Sequence, residues 1–121
     1  MFKDFPLPSH REAPFAHEAA RCAGSLGKYW PYHDRLFAEQ PRFDREALIA
    51  YAEEIGLDAS AFGRCLDEHR FAAAVDADVA QARAIGVTGT PTFIINGQGL
   101  VGAHPIETFR EVIEQALRDG R

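Results

Sequence analysis

Gly86-Val87-Thr88-Gly89-Thr90-Pro91-Thr92-Phe93-Ile94-Ile95-Asn96-Gly97 is the stretch on which the fold turns. Its first half is rich in Gly, Thr and Pro, which favours a connection over a regular element. Thr92-Phe93-Ile94-Ile95 is β-branched and aromatic, the composition of a short strand. Asn96-Gly97 then predicts a two-residue hairpin, because the tight primed turn needs positive φ at both central residues. Gln98 to Gly102 returns as the second strand. Downstream, Pro105 suits the first turn of a helix, and Ile106, Phe109, Val112, Ile113, Ala116 and Leu117 form one apolar stripe at helical spacing.

Upstream of Gly86 the pattern is helical. Phe15, Ala19, Cys22 and Leu26 recur at i, i+4, i+7 and i+11, with Gly24 and Gly27 closing that helix. A second segment runs from about Trp30 to Ala38 and is ended by Pro41. Asp44 and Asp58 are N-cap residue types, each followed by an apolar helical pattern: Leu48, Tyr51, Ala52 and Ile55 in one, Phe62, Cys65 and Leu66 in the other. A fifth, longer helix holds Phe71, Val75, Val79, Ala82 and Ile85 and stops at Gly86. At the other end, residues 2–5 alternate in the manner of a strand that Pro6 and Pro8 stop. The predicted order is strand, five helices, hairpin, helix. With 121 residues, 46% hydrophobic and 26% charged, one globular domain over 1–121 is expected.

The charge balance excludes some partners. Thirteen basic against eighteen acidic residues give −5, with no Lys/Arg cluster, so neither a nucleic-acid backbone nor an anionic membrane surface is an expected partner. No apolar run approaches the roughly 20 residues of a membrane span. Nothing near Met1 reads as a signal peptide, so the expectation is a cytosolic chain, a mature one, or one cut from something longer. The two cysteines, Cys22 and Cys65, form no Cys-x-x-Cys, and no His or Cys stands near either at zinc-ligand spacing. No metal site and no cofactor are expected. The acid pairs Glu53-Glu54 and Asp67-Glu68 are adjacent on helices and point apart, as solvated faces do. His33 beside Trp30 reads as a packed histidine rather than a catalyst.

The 86–97 stretch, followed by Leu100-Val101-Gly102-Ala103, resembles the end of a DsbA-like thioredoxin domain. Asp4-Phe5-Pro6-Leu7, Cys22-Ala23-Gly24 running into Gly27-Lys28-Tyr29-Trp30 and Tyr32-His33-Asp34, and the Leu57-Asp58 helix with Cys65-Leu66-Asp67 agree with it, in the same order. The resemblance implies an α/β thioredoxin-like fold with a helical insertion at about residues 12–80 and a closing hairpin and helix at about 87–119. In that family a strand and a helix opening with Cys-x-x-Cys precede the position of Met1. The expectation is therefore a fold that lacks its first strand and the Cys-x-x-Cys helix start, in a family placed in periplasmic or other extracytoplasmic compartments.

The family's activity is thiol:disulfide exchange, in which a low-pKa thiolate at a helix N-terminus attacks and a second thiol resolves. Cys22 and Cys65 both fall on apolar helical stripes, far from that setting. They read either as free core thiols or as a structural disulfide, and the oxidising compartments implied by the resemblance favour the bridge. The same resemblance makes Pro91 a cis proline and gives Thr90 a backbone that pairs with an extended peptide or protein thiol substrate. The chain by itself is thus expected to be redox-inactive. Two other readings stand beside this one. A non-catalytic thioredoxin-fold protein would bind or assemble, forming a homodimer through the exposed edges of its incomplete sheet. Kappa-type glutathione transferases and related isomerases share Gly86-Val87 and Pro91-Thr92-Phe93, but Asn96-Gly97 and Val101-Gly102-Ala103 fit the DsbA-like pattern better.

Overall fold

A computed structural model describes residues 1–120. Its elements are α1 (Ala13–Ser25), α2 (Tyr29–Ala38), α3 (Arg45–Glu54), α4 (Ala59–Asp67), α5 (Ala72–Ala84), β1 (Thr92–Ile95), β2 (Gln98–Val101) and α6 (Ile106–Arg118). The chain divides into two compact units, one from Met1 to Gln81 and one starting at Ala82.

Local chemistry accounts for several element ends. The Asp44 carboxylate accepts from the Ala47 N–H at 3.3 Å and so opens α3. Asp58 does the same for α4, accepting from Ser60 and Ala61 at 2.8 and 3.1 Å. At the end of α5, Gly86 takes φ +89°, and the Val87 N–H reaches back to the Ala82 carbonyl at 3.0 Å. That left-handed closure satisfies a carbonyl the helix would leave bare. Pro105 stands one residue before α6, with extended backbone, rather than inside its first turn.

In the first unit, α1 to α4 enclose a core of Ala19, Cys22, Ala23, Tyr32, Leu48, Ala52, Phe62 and Leu66, all without solvent exposure, with Cys65 beside them. The alanines on α1 let the other helices approach closely. Tyr32 fills the centre: its ring lies 5.3 Å from that of Phe62, and its hydroxyl donates to the Leu48 carbonyl at 2.8 Å. Burial pushes the Tyr32 hydroxyl far above its ordinary pKa, so it remains a donor.

Residues 2–5 do not form the expected strand. Strand geometry persists only where a neighbour completes the hydrogen-bond ladder. Among the described residues β1 and β2 pair only with each other. The Asp4 N–H instead donates to a side chain, Oδ2 of Asp78 on α5, at 2.9 Å.

In the second unit, β1 and β2 pair antiparallel, with Thr92 opposite Val101 and Ile95 opposite Gln98. Asn96 (φ 52°) and Gly97 (φ 86°) make the two-residue turn as expected. Phe93 and Phe109 meet edge to face at 4.8 Å between ring centres, which seats α6 on one face of the hairpin.

Candidate functional site

The loop before β1 is held on both sides. The Thr92 hydroxyl donates to the Gly89 carbonyl at 2.6 Å. The Gly102 N–H donates to the Pro91 carbonyl at 2.7 Å, closing the mouth of the hairpin. Between these two bonds Thr90 and Pro91 are both exposed, and the peptide bond joining them is cis, as is Gln40–Pro41. The chain thus presents a short, fixed, solvent-facing stretch of backbone at the start of a strand. Such a stretch can take an extended peptide through main-chain hydrogen bonds, as an added strand would.

The two cysteines lie elsewhere, in the first unit. Their Cα atoms are 5.9 Å apart, and their sulfurs are bonded at 2.08 Å, tying α1 to α4. Cys22 is 0% and Cys65 2% exposed, so the bond has no access to a thiolate from solvent. No free cysteine remains. Among the described residues, no group of three or more His, Cys, Asp or Glu side chains comes together in a way that could hold a metal ion. No helix among them is long and apolar enough to cross a membrane.

Sequence reasoning passed over the most connected polar group. Asp4 is 3% exposed and Asp78 8%. Oδ1 of Asp4 lies 2.8 Å from Nδ1 of His17, and Oδ2 accepts from Nε of Arg21 at 2.5 Å. Arg21 also donates to Asp78 at 2.8 Å, and Lys3 stands 3.8 Å from Asp78. Burial opposes ionisation of Asp4, but the hydrogen bonds and positive charge of His17 and Arg21 outweigh it and hold the carboxyl below 3.8. The same network raises the Arg21 pKa against its own burial. A signal was present: Asp78 shares the face of Val75 and Ala82 at i+3 and i+7, an acid where the helix should be apolar.

Above this network lies an open hollow of about 450 Å³ lined by Phe2, Asp4, Arg21, Tyr29, Trp30 and Phe71. Burial, with Asp4 nearby, pushes the Tyr29 hydroxyl up to about 12. His33 sits among aromatic rings, stacked on Phe37 at 4.7 Å and 5.1 Å from Trp30. Three of the four acids expected on solvated faces also meet an arginine: Glu54 meets Arg35, Asp67 meets Arg45 at 2.8 Å, and Glu68 meets Arg70 at 2.6 Å.

A family model described as a DSBA-like thioredoxin domain matches residues 7–114. The chain is 38% identical over 115 residues to a protein named Na(+)/H(+) antiporter NhaA from Herminiimonas arsenicoxydans, covering 95% of this chain and 18% of that protein. It is 35% identical over 122 residues to Na(+)/H(+) antiporter NhaA 1 from Salinispora arenicola, covering 100% of this chain and 19% of that one. The chain therefore spans about a fifth of the length of these curated relatives. A crystal structure of a thioredoxin-like oxidoreductase from Silicibacter pomeroyi DSS-3 superposes with a TM-score of 0.82 at 23% identity, over 96% of this chain and 66% of that one. The fold is accordingly α/β and thioredoxin-like, mostly helical with a small two-stranded sheet.

Proposed function

We propose, because this chain belongs to the DSBA-like thioredoxin domain family, that it is the peptide-facing part of a thiol:disulfide oxidoreductase-like domain and carries no redox activity of its own. One observation supports this above the rest: the only two cysteines are spent on a buried bond between α1 and α4. Dithiol exchange needs an accessible thiolate with a lowered pKa and a second thiol to resolve the mixed disulfide. Cys22 and Cys65 supply neither. What the chain does offer is the exposed Thr90–Pro91 backbone, which on this reading receives an extended segment of a thiol-bearing protein. The Cys22–Cys65 bond has a structural role on this reading, tying α1 to α4 within the helical region.

The test is direct. The purified, oxidised 121-residue chain should show no turnover in dithiothreitol-driven insulin reduction and should titrate with no thiol under native conditions. Measurable turnover, or a reactive thiol before denaturation, would overturn the reading.

A second reading rests on the relatives. Proteins named Na(+)/H(+) antiporter match nearly the entire chain while exceeding it about fivefold in length. On this view the same domain serves as an appended module of a longer transport protein. An antibody raised against the chain distinguishes the two in its native host. A band several times larger than 13.4 kDa supports the module, and one at 13.4 kDa removes it.

A further inference from the structure

Helix α6 carries more apolar surface than its hairpin covers. Phe109, Val112 and Ala116 are half-buried, and Phe109 packs on Phe93 of β1. Ile106, Ile113 and Leu117, with Arg110 between them, lie at i, i+7, i+11 and i+4, along a second line on the same helix. These three apolar side chains are 64%, 47% and 68% exposed. Ile106 and Ile113, with Phe109, Arg110 and Glu114, line a groove of about 330 Å³.

We infer that this face of α6 is a self-association surface, and that its occupant is the α6 of a second copy lying antiparallel to the first. Charge complementarity within the one helix selects this occupant. In a twofold antiparallel pair centred near residues 111–112, Ile106 of one copy meets Leu117 of the other, and Arg110 of one copy meets Glu114 of the other. Symmetry makes that ion pair twice, both along the same flank of the apolar contact. A parallel pairing would set Arg110 against Arg110 and Glu114 against Glu114, which repel. The sheet edges also offer backbone groups to a second copy, but they carry no such pattern to fix a register. A thirteen-residue helix is only about 20 Å long. Its stripe falls short of the ~800 Å² per partner of a standard stable interface, so the association is weak and concentration-dependent.

Sedimentation velocity on the complete oxidised chain, from micromolar to near-millimolar concentration, tests this. The mass should rise from one chain toward two, and less so in high salt. Arg110→Glu alone and Glu114→Arg alone should each weaken the association about tenfold, and the double exchange should restore it. Ile113→Glu should abolish it. All these side chains are exposed, so the variants should keep the far-ultraviolet spectrum of the parent. A mass of one chain at every concentration overturns the proposal and leaves the groove to another occupant. So does a dimer whose strength ignores the charge reversals.

Discussion

Asp4 is a carboxylate almost shut off from solvent, and its surroundings decide that it stays charged. Arg21 and His17 hold it from α1, and its own N–H reaches Asp78 on α5. Four residues far apart in sequence thereby fasten a segment that has no ladder of its own. Because the folded pKa is below the ordinary 3.8, the network contributes stability that is complete above the carboxylate range and is lost as pH falls through the folded value. Asp4→Asn should therefore lower stability at neutral pH, and the gap between variant and parent should close as the solution is acidified. Parallel urea titrations at several pH values measure this, and a gap that stays constant down to acid pH would refute it. Removing the carboxylate altogether in Asp4→Ala should cost on the order of 3 kcal/mol, because Arg21 and His17 lose the buried acceptor that they share. No local pattern announces such a group. The partners of Asp4 lie 13, 17 and 74 positions away, and only Asp78 on an apolar helix face hints at it.

At the scale of elements, α1 and α4 share both an apolar contact and a covalent bond. The Cys22–Cys65 bond closes a loop with a sequence separation of 43. By the loop-closure treatment of the unfolded chain, a bond of that span contributes about 4 kcal/mol. The double Cys22→Ala, Cys65→Ala variant should lose about that amount in chemical unfolding, and reductant should destabilise the parent while leaving the variant unchanged. Element boundaries were legible where single residues dictate them. Asp44 and Asp58 cap α3 and α4, and Asn96-Gly97 turns the hairpin, because each act needs one side chain or one φ value. Residues 2–5 misled for the opposite reason. Phe2-Lys3-Asp4-Phe5 sets its two apolar residues three apart, so a strand would turn them to opposite faces, and strand formation also depends on a neighbour that a local pattern does not specify. Thr90 and Pro91 were legible as part of a turn-rich connection, and the bonds from Gly102 and Thr92 that fix it were not, since they depend on the register of β1 and β2.

At the scale of the whole molecule, burial is uneven. Every fully buried apolar side chain described here lies before Gln81, and neither β1, β2 nor α6 contributes one. Local opening free energies follow burial and contact with a core. Amide exchange should therefore be slowest in α1, α3 and α4 and faster by orders of magnitude in the hairpin and α6. Uniform protection across both units would contradict this. Membership of the thioredoxin-like fold is consistent with the imbalance, because a two-stranded hairpin is marginal without further strands or a covering layer.

The alanines that line α1 carry a consequence for how such a sequence drifts over generations. Ala19 and Ala23 are wholly enclosed, as is Ala52 on α3. A residue of that size has nowhere to shrink except to glycine, which weakens the helix, and nowhere to grow without prising its neighbours apart. Homologues are thus expected to vary freely at the rim of the bundle while these three positions stand still, and a larger residue at one should arrive only together with a smaller one facing it.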